Sequence, residues 1–422
     1  MDRLQIEGGH RLDGSVQVAG AKNAALPILA ASLLSDRDLV LGNLPAVTDV
    51  TAMLELLREF GVRIDGPRQG RLVLHATGIV NTEATWDIVR RMRASFLVLA
   101  PLVARFGHAR ISRPGGCSIG TRPVDLHLEA LAALGASVET AGGVIDVTAP
   151  RAGGLQGGRI NLAFPSVGAT HTAMMAATAA RGETEIVNCA REPEIVDVAT
   201  CLARMGARIE GAGTHRIRVE GLTLWQPAEH MILPDRIEAG TYLIAAALTG
   251  GQVEVTGGRL EHLGGVCEVL DAAGVTVFPS DRGLIAERHG PLRSVDMTTG
   301  PFPAFPTDLQ AQFMTLMTQA EGVSTIRETV FENRFMHVPE LQRLGANIEH
   351  RGSVARVRGR SPLDGASVMA TDLRASMCLV LAGLVARGWT TVNRVYHIDR
   401  GYEDVEGKLR RCGARIERRT GA

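Results

Sequence analysis

The sequence predicts an α/β protein built from six copies of one βαβαββ unit, and three observations carry that prediction. First, a helix ending in glycine passes into a short strand at Gly61, Gly135, Gly206, Gly274, Gly345 and Gly413. The spacings are 74, 71, 68, 71 and 68 residues, so six units of about 70 residues fill the chain. Glycine suits the place because it adopts, without steric cost, the left-handed conformation that stops a helix and satisfies its last carbonyls. Second, each unit holds a helix that is apolar nearly all round, over residues 24–34, 94–104, 169–180, 239–249, 309–320 and 375–386. A helix without a polar face must be buried on every side. Third, short β-branched runs such as Glu185-Ile186-Val187 and Val253-Glu254-Val255 follow these helices.

The elements within a unit follow in order. A leading strand enters the buried helix; a strand, a second helix and two further strands complete the unit. The second helix is amphipathic, as in residues 194–204, and belongs on the outside. Five units carry their last strand at 72–74, 144–147, 217–219, 284–286 and 354–357. The sixth lacks one, while the amino terminus carries two orphan strands at 3–6 and 14–18. Residues 1–21 are therefore expected to complete the sheet of the last unit. Three units per domain is the simplest grouping: residues 22–230 form one domain, and 1–21 with 231–422 the other. The crossover is expected near Gln226-Pro227-Ala228-Glu229-His230, whose proline and polar neighbours suit a linker.

Composition removes several classes of function. At 422 residues, with 45% hydrophobic content and zero formal net charge, the chain reads as a globular protein without the basic surface that nucleic acid or an anionic membrane requires. The start, Met1-Asp2-Arg3-Leu4-Gln5-Ile6, shows no secretory pattern, and the longest apolar runs fall short of a membrane span. Six scattered cysteines without a Cys-x-x-Cys pair fit a reducing cytoplasm and no metal framework. There is no Walker A loop, no Gly-x-Gly-x-x-Gly after a strand, no paired-histidine metal spacing and no Gly-x-Ser-x-Gly elbow, so no cofactor or metal is expected.

The chemistry is expected at Arg113-Pro114-Gly115-Gly116-Cys117-Ser118-Ile119-Gly120-Thr121-Arg122, which mounts a thiol on a glycine-rich loop between two arginines. Cations beside a thiol lower its pKa and make it reactive, and His127 lies close in sequence. The other cysteines lie in or beside apolar helical stretches and read as small core residues. Basic charge is almost wholly arginine, with lysine only at Lys22 and Lys408. Lys22, at a helix start, is a candidate functional group; Lys408, on the polar helix 406–411, reads as solvated. Of the twelve histidines, His127, His337 and His397 neighbour arginine-rich motifs, and the rest read as surface residues.

The repeats aim these motifs. At or near the starts of the six buried helices stand Lys22-Asn23, Arg93, residues 166–170, Asp235-Arg236, Thr307-Asp308 and Asp372-Leu373-Arg374. Helix amino termini bind phosphates and carboxylates, and added Lys or Arg strengthens the site. Three such ends from each domain would enclose an anionic, phosphorylated substrate. Taken singly, Asp235, Asp308 and Asp372 read first as helix caps.

The chain resembles, over its whole length, the UDP-N-acetylglucosamine enolpyruvyl transferase family. The segments carrying the resemblance are 20–24, 92–95, 114–117 through 122–127, 166–170, 305–308, 332–335, 372–376 and 396–402. It implies two inside-out α/β-barrel-like domains, with buried parallel helices surrounded by sheets and outer helices, and a cytoplasmic transferase of peptidoglycan synthesis that needs no metal or cofactor. It also implies that the sugar 3-hydroxyl adds to C2 of phosphoenolpyruvate and that phosphate is then eliminated. In that scheme Cys117 is the acid and forms a phosphoenolpyruvate adduct, and Asp308 is the base or positioning group. Lys22, Arg122 and Arg400 hold the phosphate; Arg334 and Arg374 lie near the carboxylate, with Asp372 in the same site. Asn23 touches both substrates; Arg93, Arg122, Pro123, Val124, Asp125, Leu126, Ser166, Val167, Gly168 and Val330 hold the UDP-sugar. Some members carry a lysine before Ser-Val-Gly where Phe164-Pro165 stand here, so that diphosphate contact is not expected. Shikimate-3-phosphate enolpyruvyl transferases share the repeats but not the loop thiol. An RNA-terminal phosphate cyclase would show a nucleotide-attachment site, and a non-catalytic UDP-sugar-binding protein would have lost Cys117, Asp308 or a clamp arginine.

Overall fold

The structure, a computed structural model, describes residues 2–68, 70–84, 86–89, 92–113, 124–151 and 154–420. The chain divides into two compact units: residues 20–113 with 124–233, and residues 2–19 with 234–420. Each has its own apolar core.

Every repeat builds one four-stranded sheet of the same topology. The third repeat shows it plainly. The leading strand Arg159–Asn161 pairs in parallel with Glu183–Val187, which pairs antiparallel with Arg216–Glu220, which pairs antiparallel with Arg208–Glu210. The connection from Arg159–Asn161 to its parallel partner is the central helix Val167–Thr178, as a parallel pair needs a crossover. The other central helices are Lys22–Ala31, Leu99–Phe106, Arg236–Thr249, Gln310–Thr318 and Met377–Val385, two of them entered through 3-10 turns, Arg93–Val98 and Thr307–Leu309. Their flanks are buried almost throughout, which is why they read as apolar all round. In the unit holding repeats 4 to 6 the three central helices pack on one another and on the strands of their own sheets.

Two strand assignments differ from expectation. Arg3–Glu7 does complete the last repeat's sheet, lying between Trp389–Asn393 and Arg415–Arg419. The second amino-terminal strand, Asp13–Gln17, joins the sheet of the fourth repeat instead, parallel to Gln252–Thr256. It fills the leading-strand place that repeat 4 cannot fill locally. For the same reason the stretch expected as a linker contains a strand: Ala228–Met231 pairs in parallel with Leu39–Gly42 and leads the first repeat's sheet. Its alternation of buried Ala228 and His230 with exposed Glu229 and Met231 is a strand pattern that the proline at 227 obscured.

The six marker glycines all have left-handed backbones, with φ between 90° and 111°. At Gly61 the space is closed as well, because an added Cβ would lie 2.2 Å from the Gly78 carbonyl oxygen. Gly61→Ala is therefore expected to cost about 1–3 kcal/mol, read as a lower denaturant midpoint with unchanged slope. An unchanged midpoint would show that this turn yields.

Candidate active site

In the unit of residues 20–233, cations and a hydroxyl stand at the starts of the central helices. The chain enters the first through Ala21, whose N–H donates to the Leu233 carbonyl at 2.7 Å. Its N-cap residue is alanine, which offers no capping side chain, and its first turn has no acidic residue. Lys22 is buried there, its Nζ 3.1 Å from Asp49 Oδ2. Asp49 sits in the first turn of Thr48–Phe60 and is itself buried. Asn23 follows, half-buried. Arg93 opens the second helix start, again without an acidic first turn. Ser166 caps the third, accepting from the Ala169 N–H at 3.3 Å, with Val167 and Gly168 in its first turn.

His127 joins the second and third of these starts. Its Nδ1 lies 2.7 Å from Thr172 Oγ1, and its ring meets Phe96 edge-on. A Cβ at Gly168 would lie 2.8 Å from its Cε1, so glycine there makes room for the imidazole. Val124 is buried, Asp125 exposed and Leu126 half-buried at the start of Asp125–Ala133. Cys117, Arg122 and Pro123 lie outside the described residues. The other five cysteines are core thiols: burial pushes Cys189 and Cys267 up to about 11, and Cys201, Cys378 and Cys412 also upward.

The unit of residues 2–19 and 234–420 gathers Asp308, Arg334, Asp372 and Arg374 into one cluster. Arg334 Nη1 lies 2.7 Å from Asp308 Oδ1 and donates to Thr307 Oγ1 at 3.0 Å, with Asp372 at 3.8 Å from Nη2. Burial pulls the Arg334 guanidinium down, but Asp308 and Asp372 outweigh it and keep it charged. Burial pushes the Asp372 carboxyl up, yet Arg334 and the N–H groups of Ala375 and Arg374 hold it below the ordinary carboxylate value. Arg374 is buried with Nη2 2.6 Å from Asp235 Oδ2, Nη1 donating to the Gly401 carbonyl at 2.7 Å, and its guanidinium over the Tyr402 ring. His337 is buried beside them; burial pushes its imidazole down to about 3, so it stays neutral.

The three aspartates divide by role. Asp235 caps Arg236–Thr249, accepting from the Ile237 and Glu238 N–H groups, and Asp372 accepts from the Arg374 and Ala375 N–H groups. The carboxylate of Asp308 instead faces Arg334 and keeps about a quarter of its surface exposed. Arg400 ends the turn Val395–Arg400, and the residue before it, Asp399, is held by Arg418 through contacts of 2.7 and 3.0 Å.

Several residues of weight escaped the sequence. Glu328 is buried and accepts from Thr299 and Thr307 hydroxyls and from the Val330 and Phe331 N–H groups, all within 3.1 Å. It thereby fixes the Val330 backbone to the turn that carries Asp308. Nothing in the run Arg327-Glu328-Thr329 signals this, since the two hydroxyl partners lie 29 and 21 residues away in the chain. Lys408, expected in solvent, is buried with Nζ 2.6 Å from Glu238 Oε1. Burial pushes Glu238 up despite that partner, and its other oxygen accepts from the Ala19 N–H at 2.8 Å. The charged neighbours of Lys408 disguised an inward-facing position. His171 and His230 are likewise buried rather than on the surface; burial pushes His171 down to about 4, and His230 meets Asp197 at 3.1 Å.

In the unit of residues 2–19 and 234–420, guanidinium groups around the partly exposed Asp308 carboxylate suit an anionic substrate and proton transfer, and in the other unit the helix starts bearing Lys22, Arg93 and Ser166 suit anionic groups. The relatives place this sixfold repeat in the enolpyruvyl transferase class. The family model of EPSP synthase (3-phosphoshikimate 1-carboxyvinyltransferase) matches residues 6–409, and the chain belongs to that family. Within it, the chain is 62% identical over 418 residues to UDP-N-acetylglucosamine 1-carboxyvinyltransferase 2 of Mesorhizobium japonicum, covering 99% of both. It is 56% identical over 420 residues to UDP-N-acetylglucosamine 1-carboxyvinyltransferase of Gluconacetobacter diazotrophicus, again covering 99% of both. Among solved structures, the enolpyruvyl transferase NikO from Streptomyces tendae superposes with a TM-score of 0.89 at 29% identity, covering 100% of this chain and 99% of that one. EPSP synthase from Acinetobacter baumannii shares the fold, with a TM-score of 0.77 at 19% identity and full coverage of both. Among the described residues no helix is long and apolar enough to cross a membrane.

Proposed function

We propose that the chain transfers the enolpyruvyl group of phosphoenolpyruvate to the 3-hydroxyl of UDP-N-acetylglucosamine, the first committed step of peptidoglycan synthesis, in the cytoplasm and without a metal or organic cofactor. The observation that carries this reading is the 62% identity, over 99% of both chains, to a protein named for that reaction. The grouping of residues 22–230, and of 1–21 with 231–422, into two domains is part of the proposal.

The sugar hydroxyl oxygen bonds to C2 of phosphoenolpyruvate while a proton is delivered to C3, giving a tetrahedral ketal that keeps the phosphate. Loss of a C3 proton then reforms the double bond as the C2–O bond to phosphate breaks, releasing inorganic phosphate. Cys117 is the acid that delivers the C3 proton, and Asp308 takes the hydroxyl proton or positions that hydroxyl. Lys22, Arg122 and Arg400 hold the phosphate; Arg334 and Arg374 meet the carboxylate, and Asp372 keeps Arg334 charged within that set. Neutralising these groups lowers the barrier because the donors are fixed before the charge moves. Asn23 touches both substrates. Arg93, the run Arg122, Pro123, Val124, Asp125 and Leu126, the helix start Ser166, Val167 and Gly168, and Val330 hold the UDP-sugar.

Phosphate release from phosphoenolpyruvate, measured with UDP-N-acetylglucosamine or shikimate-3-phosphate as acceptor, tests the reading in wild type and in Cys117→Ala. Release is expected with the UDP-sugar alone and only in wild type. Release with shikimate-3-phosphate would move the chain to the other substrate class, and none with either acceptor would refute transferase activity.

A further inference from the structure

We infer that Gln312 and Tyr402 are positioning residues: one buried hydrogen-bond chain through them fixes the helix starts that carry Asp308 and Arg374 relative to each other. The inference rests on the enolpyruvyl-transfer reading for its kinetic consequences. Gln312 lies in the first turn of Gln310–Thr318. Its Nε2 donates to the Asp308 carbonyl at 3.0 Å and to the Tyr402 hydroxyl at 3.0 Å, with the Arg374 carbonyl at 3.3 Å and Thr241 Oγ1 at 3.4 Å also in range. Two backbone carbonyls on that side fix the amide's orientation, because the flipped amide would set its oxygen against both.

The chain continues with a defined direction. Thr241 Oγ1 donates to the Ile237 carbonyl at 2.8 Å, so the Tyr402 hydroxyl, 2.8 Å from that oxygen, donates to Thr241 and accepts from Gln312. Burial pushes the Tyr402 phenol up to about 12, so this donor keeps its proton throughout the neutral range. The Tyr402 ring in turn carries the Arg374 guanidinium, whose carbon lies 4.9 Å from the ring centroid, and a cation over a buried ring is attracted to its face. One side chain thus reaches the backbone of the candidate base, the backbone of the candidate carboxylate clamp, and the platform under that clamp.

Packing alone does not account for this arrangement. Gln312, Thr241 and Tyr402 are almost wholly buried, the first two where their helices pack beside the apolar Met377–Val385. A methionine at 312 would fill similar volume without the desolvation cost of an amide, whose Oε1 has no hydrogen-bond partner among the described residues. A polar group kept where an apolar one would pack at least as well points to geometry rather than stability.

The test compares Gln312→Met and Tyr402→Phe with wild type in thermal midpoint, UDP affinity, kcat, and KM for phosphoenolpyruvate. Gln312→Met is expected to lose about 10²-fold in kcat/KM for phosphoenolpyruvate, the scale set by ångström misplacement of reacting groups, with wild-type midpoint and UDP affinity. Tyr402→Phe, which keeps the ring, should lose less, and the double variant should be no worse than Gln312→Met. Wild-type kinetics in Gln312→Met, or losses that follow the midpoint and UDP affinity equally, overturn the inference. A crystal structure of Gln312→Met supplies a readout independent of activity: the Asp308 and Arg374 carbonyls should separate by about 0.5 Å or more. Should wild type show no transfer at all, the functional reading fails, and the carbonyl separation alone decides this one; unmoved carbonyls overturn it.

Discussion

Asp308→Asn should lower kcat by about 10²–10⁴-fold, the range that a positioned general base contributes, with the fold and UDP affinity retained. The geometry makes the variant clean. Asparagine keeps the shape of aspartate, and Arg334 retains Thr307 at 3.0 Å and Asp372 at 3.8 Å, so the guanidinium is not stranded when the carboxylate is removed. The backbone of residue 308 stays anchored from below through its carbonyl and Gln312. What disappears is the proposed proton acceptor, together with the negative charge 2.7 Å from Arg334. Steady-state kinetics with both substrates checks this. A variant within threefold of wild-type kcat would remove Asp308 from the reaction and leave it as a partner of Arg334.

The place of Asp308 at a helix start was legible in the sequence, whereas what supports it there was not, and the contrast has a physical origin. Features that repeat with the fold leave a period: the left-handed glycine after each outer helix, the helix without a polar face, and the polar group at its start. Each can be read locally because its cause is local, a backbone angle or the number of faces that must be buried. Gln312, Glu328, Asp49 and Asp235 work through partners 4 to 139 residues away, and nothing in their immediate sequence separates them from surface residues or ordinary caps. Lys408 shows the same limit in reverse: a helix crowded with Glu and Arg looks solvated until Glu238, 170 residues away, is found beneath it. The strand at 228–231 was hidden for a related reason. It pairs with the beginning of the chain rather than with a sequence neighbour, as Asp13–Gln17 pairs with Gln252–Thr256.

Lys22→Met is expected to lose both stability and turnover, and a second substitution should separate the two. A lysine in the first turn of a helix opposes the helix dipole, and burying it adds a desolvation cost. Asp49, 3.1 Å away, offsets part of that cost. Truncating one member of such a buried ion pair costs about 3–5 kcal/mol, so Lys22→Met should shift the denaturant midpoint strongly. Adding Asp49→Asn removes the opposite charge of the pair and should recover much of the midpoint. Turnover should not return, because the proposed phosphate clamp still lacks its ammonium; a loss of about 10²–10³-fold in kcat/KM for phosphoenolpyruvate is the scale for one preorganised electrostatic contact. If the double variant regains activity along with stability, the lysine is a structural counter-ion to Asp49 and the phosphate clamp must be built from the arginines alone.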